Sequence, residues 1–267
     1  MNGSLIFLKL GGSLITEKDK PSTALLDVIK RAAAEIAAAY ATNPAQPLLL
    51  GHGSGSFGHF PAKQHGTRTG VGSEAQWHGF IEVRQQAASL NRIVMDALTA
   101  AGLPALAFPP SAMATASDGR ITHWELRPIR AALDAHLLPV VYGDVAFDTV
   151  RGGTILSTED LFVYLAAQLQ PSRLLLAGDE EGVYTNYPQA PLLIEEITPS
   201  SYPEIAASLQ GAVAPDVTGG MAGKVQAMLD VVTQVPSCEV MIFSGLEPGN
   251  IARALLGASF GTRLHAV

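Results

Sequence analysis

The sequence predicts an α/β fold, a mainly parallel sheet covered by helices on both faces, and three observations carry that expectation. Short apolar runs of strand type alternate with amphipathic helical stretches from end to end, the order that successive βαβ units produce. Most of these stretches are bounded by Gly, Pro, Asn or Ser, the residues that close helices and strands. Of the 267 residues, 48% are hydrophobic and 15% charged, enough apolar material for one large domain or two closely packed lobes.

Along the chain, the first strand is expected at Leu5–Leu10, a run that carries Lys9 and stops at Gly11. Helical periodicity follows at about Thr23–Tyr40, then a strand at Pro47–Leu50 and a long helix at Gln76–Ala101. A strand at Ala105–Phe108 comes next. The stretch Ser117-Asp118-Gly119-Arg120-Ile121 has an Asp-Gly turn, which predicts a β-hairpin inserted into the pattern. Beyond it lie a helix at Arg127–His136, a strand at Val140–Asp144, a helix at Asp160–Gln170 and a strand at Arg173–Ala177. Helices at Tyr202–Leu209 and Met221–Thr233, a strand at Val240–Phe243 and a helix at Asn250–Leu256 complete the series. A soft boundary is expected near Gln170-Pro171-Ser172, dividing residues 1–170 from 171–267.

Composition excludes several classes of function. The net charge is −7 and the pI about 5.4, which argues against a nucleic-acid partner, because binding to a phosphate backbone rests on clustered Lys and Arg. The run Leu5–Leu10 is short and interrupted by Lys9, unlike a signal peptide, and no apolar stretch approaches the ~20 residues of a membrane span. The one cysteine, Cys238, leaves no internal disulfide and no cysteine zinc site, and fits a reducing compartment. These features predict a cytoplasmic protein that meets any anionic ligand with a few lysines placed in one cleft.

Three glycine-rich turns are the candidate sites. The first, Lys9-Leu10-Gly11-Gly12-Ser13, ends the first strand; paired glycines let a backbone approach phosphate oxygens, and Lys9 adds a positive charge. It lacks the spacing of a P-loop. The second, Gly51 to His59, contains Gly53-x-Gly55-x-x-Gly58, formally a dinucleotide-binding fingerprint. It follows the second strand, however, and the acidic residue expected ~20 positions on at a strand end is at best Glu74, in a polar loop. An anion cradle is the better reading, and the glycines alone leave the dinucleotide reading open. The third, Asp216-Val217-Thr218-Gly219-Gly220-Met221-Ala222-Gly223-Lys224, opens a helix, whose N-terminal N–H groups favour an anion with Lys224 one turn inside. Phosphoryl transfer asks the protein chiefly for positioning and for screening of charge, and Lys9, Lys18 and Lys224 supply that screening in an acidic protein.

At these residues the sequence resembles the amino acid kinase family, and within it the members that act on isopentenyl phosphate. The matching pieces are Leu8-Lys9-Leu10-Gly11-Gly12-Ser13 with Lys18, Gly53-Ser54-Gly55-Ser56-Phe57-Gly58-His59, Gly143-Asp144, Gly178-Asp179-Glu180-Glu181-Gly182-Val183, Val217-Thr218-Gly219-Gly220-Met221 with Lys224, and Gly261-Thr262. The resemblance implies a three-layer αβα sandwich of the carbamate kinase-like type, with residues 1–170 binding the phosphate acceptor and residues 171–267 binding ATP. It further implies that Gly53, Gly58, His59 and Thr158 meet isopentenyl phosphate or a related prenyl phosphate. Lys9, Gly11, Gly12, Ser13, Ser54, Asp179, Gly182, Gly219 and Lys224 fall to ATP, with Mg²⁺ carried on the ATP phosphates. Lys18 is the residue implied to stabilise the transition state, and a homodimer is implied as the assembly.

The chemistry is consistent with that division. A phosphate nucleophile is already largely dianionic at neutral pH, its second pKa being about ~6, so no general base is required. A histidine that can carry positive charge suits the acceptor better than a carboxylate. An isoprenoid tail needs apolar cover, for which Trp77, Phe80 and Val83 on one helical face and Val145 and Phe147 are candidates. One departure stands out: Ser157-Thr158-Glu159-Asp160 replaces the Ser-Gly-Asp-Asp common among related enzymes. The competing expectations are a kinase of the fosfomycin-resistance type acting on a phosphonate, a dinucleotide-dependent oxidoreductase, and a nucleotide-binding sensor without catalysis.

Overall fold

Every residue of β1 (Ile6–Leu10) is buried, as a central strand of a doubly covered sheet requires. The structure is a computed structural model that describes residues 4–185, 191–209 and 220–267. After β1 come α1 (Gly12–Ile15), α2 (Leu26–Thr42), β2 (Leu48–His52), α3 (Gly55–His65), α4 (Glu74–Ala100) and β3 (Ala105–Ala107). The middle of the chain forms α5 (Pro110–Met113), β4 (Ala114–Ser117), β5 (Arg120–Trp124), α6 (Arg127–Asp134), β6 (Leu138–Tyr142), β7 (Asp144–Asp148), β8 (Gly152–Leu156) and α7 (Thr158–Leu169). The last part forms β9 (Arg173–Gly178), β10 (Val183–Thr185), β11 (Leu192–Ile194), β12 (Glu196–Ile197), α8 (Tyr202–Leu209), α9 (Gly220–Gln234), β13 (Glu239–Ser244), α10 (Asn250–Leu255) and β14 (Thr262–Leu264).

Among the described residues the main sheet has eight strands in the order β12-β14-β13-β9-β1-β2-β6-β3, and only the β13–β14 pairing is antiparallel. A four-stranded sheet, β5-β4-β7-β8, and the pair β10-β11 lie outside it. The expected α/β fold with a mainly parallel sheet is therefore the observed one. The boundary expected near Gln170–Ser172 falls between α7 and β9, and β9 pairs directly with β1, so one sheet runs through both halves of the chain.

Strand parity sorts the core into two layers. Ile6, Leu8 and Leu10 of β1 join Leu48 and Leu50 of β2 against Ile29, Ala32 and Ile36 of α2 and Leu90 and Val94 of α4. Phe7 and Leu49 point the other way, toward Leu161, Phe162 and Leu165 of α7 and Val225, Met228 and Leu229 of α9. By the same alternation Lys9 shares the face of Phe7, and His52 shares the face of Leu50. That parity decides which helices each meets.

The hairpin expected at Ser117–Ile121 is present as β4–β5, with Asp118 and Gly119 at φ +50 and +78, the left-handed pair that a tight two-residue turn requires. Two expectations are corrected. Gly51 to His59 is not one turn: Gly51 and His52 complete β2, and Gly55 begins α3, so the loop itself is only Gly53-Ser54. The run Val140–Asp144 is not one strand either; β6 ends at Tyr142, and Asp144 begins β7 in the other sheet. The strands β7, β8, β10, β11, β12 and β14, each of two to five residues, are added to those expected; runs this short do not stand out from the surrounding turns.

The first two glycine turns pack backbone against backbone. A Cβ on Gly12 would lie 2.7 Å from the Gly55 nitrogen, and one on Gly53 would lie 2.7 Å from the Gly12 nitrogen. Gly55 also sits at φ +49, and a Cβ there would come within 2.2 Å of Thr16 Oγ1 and 2.8 Å of the Gly12 carbonyl. Gly102 has a similar φ of +78 but open space around it. Gly55→Ala is expected to cost about 3 kcal/mol and Gly102→Ala only about 1 kcal/mol, one combining overpacking with a left-handed backbone and the other the backbone alone. Urea unfolding of the two variants measures the difference; equal losses would show that the turns have room to separate.

Candidate active site

Parallel register brings the carboxyl ends of five strands to one edge of the sheet. Leu10 of β1 is level with His52 of β2 and Ala177 of β9, His52 with Tyr142 of β6, and Gly178 with Ser244 of β13. In open α/β sheets this is the edge at which ligands bind. The chain leaves it through the turns of interest: Gly11–Ser13 after β1, Gly53–Ser54 after β2, Gly143 after β6 and Asp179–Gly182 after β9.

Lys9 is 6% exposed and forms an ion pair with Glu159 in the first turn of α7, the helix that its strand face meets. The start of α7 is fixed by a capping box between Ser157 and Asp160, and a carboxylate there also benefits from the positive end of the helix dipole. Burial by itself raises the Glu159 carboxyl, but the charges of Lys9 and Lys224 and the hydrogen bond from Lys9 outweigh it and hold the group below its ordinary value. Lys224, on α9 one turn beyond Gly220, is near enough for its charge to act on this carboxylate. Glu159 is thus the anionic centre between two of the expected lysines.

Asp179 is the second such centre. Ser13 Oγ donates to Asp179 Oδ1 at 2.7 Å, and Lys18 Nζ lies 2.8 Å from Oδ2. Burial raises this carboxyl, but the hydrogen bonds from Lys18 and Ser13 and the Lys18 charge lower it further. The loop carrying Lys18 is closed at its base by a Thr16–Ala24 bridge and pinned by the Thr23 N–H donating to Ser56 Oγ at 3.4 Å. The Gly11 N–H donates to the Ala177 carbonyl at 2.8 Å, which sets the first turn against the end of β9. A Cβ on Gly182 would lie 2.6 Å from Thr262 Oγ1, so the Asp179–Gly182 turn and the Gly261-Thr262 segment are in contact.

At the second turn, Gly58 packs on Ser54, where a Cβ would meet Ser54 Oγ at 2.3 Å. His59, half-buried on α3, sets its ring edge-on to Phe60 with centroids 6.4 Å apart. Thr158 is 1% exposed and donates its hydroxyl to the His52 carbonyl at 2.7 Å, so it meets the turn from behind. His52 is fully buried, and burial together with the Lys9 charge pushes its pKa down despite the hydrogen bonds around it, leaving a neutral ring. Its Nδ1 lies 3.0 Å from the Gly53 carbonyl, which can only accept, so Nδ1 carries the proton. Nε2 lies 3.1 Å from Asn91 Oδ1, and a ring protonated at Nδ1 accepts there once the Asn91 amide is turned by 180° to present its NH₂.

Beside this turn stands an apolar wall. Trp77, Phe80 and Phe147 form a triangle with ring centroids 5.2, 5.9 and 5.5 Å apart, over a small core of Ala62, Val71, Val83 and Val145. Phe147 is 56% exposed, so the wall opens to solvent.

Of the expected site residues, the structure brings Lys9 and Lys224 to Glu159, Ser13 and Lys18 to Asp179, and Gly11, Gly12, Gly53, Ser54 and Gly58 into the interlocked turns. Gly219 and the loop before it lie outside the described residues. Glu159 was noted in the sequence as a departure standing for a carboxylate expected to orient the lysines, and the structure pairs it with Lys9. Asn91 was missed. Its signal was present: a polar residue on the buried face of α4, among Ala87, Leu90 and Val94.

The sequence profile of the amino acid kinase family matches residues 4–244. The chain belongs to the amino acid kinase family. Within that family it is 37% identical, over 97% of its length and 98% of the relative's, to an isopentenyl phosphate kinase of Methanothermobacter thermautotrophicus. It is 33% identical, over 97% of its length and 98% of the relative's, to an isopentenyl phosphate kinase of Methanocaldococcus jannaschii. A solved isopentenyl phosphate kinase structure superposes with a TM-score of 0.83 and 35% identity, covering 97% of this chain and 99% of the other.

Two measurements probe the family's site as this chain builds it. Because the folded Glu159 carboxyl is held below its ordinary value of 4.5, its contribution to stability is complete above that pH and is lost as pH falls through the folded value. Glu159→Gln leaves Lys9 buried without its counter-charge and is expected to cost about 3 kcal/mol at pH 7, the deficit shrinking in acid. Urea unfolding from pH 7 to pH 3 checks this; a pH-independent deficit contradicts it. For His52, ¹⁵N NMR at pH 7 is expected to show a neutral ring protonated at Nδ1, and an Nε2–H signal would overturn the assigned network.

Proposed function

We propose that the chain transfers the γ-phosphoryl group of ATP to the phosphate of isopentenyl phosphate, giving isopentenyl diphosphate and ADP. The observation that carries this reading is the near full-length match, on both sides, to isopentenyl phosphate kinases of two organisms. The arrangement of the site supports it physically. An oxygen of the acceptor phosphate attacks the γ-phosphorus, the bond to the ADP oxygen breaks, and no proton has to be removed from the nucleophile. What the reaction needs is cation density around two approaching anions. Lys9 is aligned by Glu159, whose carboxylate also feels the charge of Lys224, and Lys18 is aligned by Asp179.

In this reading the interlocked Gly11–Ser13 and Gly53–Ser54 turns bring the two phosphate groups within reach of each other. Gly53, Gly58 and His59 hold the acceptor, Lys18 neutralises charge on the transferring group, and Asp179, Gly182 and Gly219 serve the nucleotide. The acceptor then belongs mainly to residues 1–170 and the nucleotide mainly to residues 171–267. Mg²⁺ would be carried on the ATP phosphates and would screen their charge there. It suits the donor set that the site carboxylates Glu159 and Asp179 are each occupied by a lysine. The Trp77–Phe80–Phe147 wall accommodates the prenyl tail, a feature that a small phosphonate such as fosfomycin would not need. A homodimer in the cytoplasm completes the reading on the strength of the family resemblance and the single cysteine.

With MgATP, turnover is expected for isopentenyl phosphate and slower turnover for dimethylallyl phosphate, longer prenyl phosphates and fosfomycin. His59→Ala is expected to raise the KM for isopentenyl phosphate about tenfold by removing a charged hydrogen bond, and Lys18→Ala to lower kcat about 100-fold with little change in KM. Steady-state kinetics decide: no ADP release dependent on isopentenyl phosphate sinks the function, and normal kinetics in both variants sink the residue roles.

A further inference from the structure

Beneath the second turn, three buried polar side chains form a connected set that phosphoryl transfer does not itself require. Thr158, His52 and Asn91 are 1, 0 and 8% exposed. The His52 carbonyl accepts from the Thr158 hydroxyl at 2.7 Å and from the Gly143 N–H at 3.1 Å, while the N–H of the same peptide unit, on Gly53, donates to the Leu10 carbonyl at 3.0 Å. That peptide plane is held at both ends. The next carbonyl, of Gly53, is drawn inward by His52 Nδ1 at 3.0 Å. Because carbonyl and N–H point in opposite directions across a trans peptide, the Ser54 N–H is turned away from the ring. The ring has little freedom of its own: Asn91 holds Nε2 from one side, and Tyr142 stacks on it with centroids 5.4 Å apart and planes 9° apart.

We propose that Thr158, His52 and Asn91 are positioning residues that set the orientation of the 52–53 and 53–54 peptide units, and so aim the Ser54 N–H at the phosphate held by the turn. The proposal rests on the kinase reading for its substrate, but not for its geometry. A glycine turn is conformationally permissive, and a permissive turn binds an anion weakly unless something fixes it. Here the fixing elements come from three directions: α7 through Thr158, α4 through Asn91, and the β6–β7 junction through Gly143. Since α4 also carries Trp77 and Phe80, the apolar wall and the phosphate turn share one support. Thr158 does not touch the substrate in this account; it acts through the His52 carbonyl.

The test compares Thr158→Val and Thr158→Ala, which both remove the hydroxyl, with Thr158→Ser, which keeps it. With isopentenyl phosphate varied at saturating MgATP, the first two are expected to raise the acceptor KM about tenfold while the KM for ATP stays within about twofold, the cost of a buried acceptor losing its donor. Thr158→Ser is expected to restore the acceptor KM. In parallel, inorganic phosphate is titrated into each protein while the Ser54 amide is followed by ¹H–¹⁵N NMR; the valine and alanine variants are expected to bind it about tenfold more weakly. An unchanged acceptor KM, an equal rise in both KM values, or failure of the serine variant to rescue overturns the proposal. If the unaltered protein does not turn over isopentenyl phosphate, the kinase reading falls. The phosphate titration then decides alone, and equal phosphate affinity in the wild-type protein and Thr158→Val overturns the positioning role.

Discussion

A lysine at the end of a fully buried central strand is the constraint around which the rest is organised. Moving an ammonium out of water costs several kcal/mol, so Lys9 is tolerable only where a carboxylate waits for it. Parity of β1 sends it to the α7 and α9 layer, and the capped start of α7 places Glu159 there. The pair is weak evidence for extra stability, since an apolar pair of the same size would cost less to bury. Its worth is in geometry: a cation held at a known point beside the first glycine turn, with the charge of a second lysine, Lys224, acting on the same carboxylate.

Close approach of two backbones is the second constraint, and it explains why glycines cluster as they do. The turn after β1 and the turn after β2 lie in contact at Gly12, Gly53 and Gly55, with no room for a Cβ on any of the three. Two anions brought together on those turns would repel strongly, and Lys9 at Glu159 and Lys18 at Asp179 are positive charges that would offset that repulsion. Asp179 adds a mechanical role. It belongs to the second half of the chain, yet it holds Ser13 and Lys18 of the first, so the end of β9 and the loop after α1 are tied across the sheet.

Much of this was legible in the sequence. The six strands expected from apolar runs are all in the main sheet, because buried parallel strands read as near-continuous hydrophobic stretches. The lysines and glycine turns were visible as motifs. What was not visible were the short strands β7, β8, β10, β11, β12 and β14, whose runs of two to five residues are too short for a pattern of their own. Nor was the helical start of α3: Gly55 to Gly58 has the composition of a loop, and it becomes helix because Ser54 and Thr16 satisfy its first N–H groups.

The sequence by itself determined the fold class, the two faces of each strand and the identity of the cations, since period-two burial and residue chemistry are local properties. Tertiary structure alone decided which carboxylate each lysine meets, that Thr158 spends its hydroxyl on the His52 carbonyl, and that Asn91 reaches the His52 ring. Those contacts join residues 39 to 161 positions apart. Such distances are closed only when the sheet is assembled, and neither spacing nor composition encodes them.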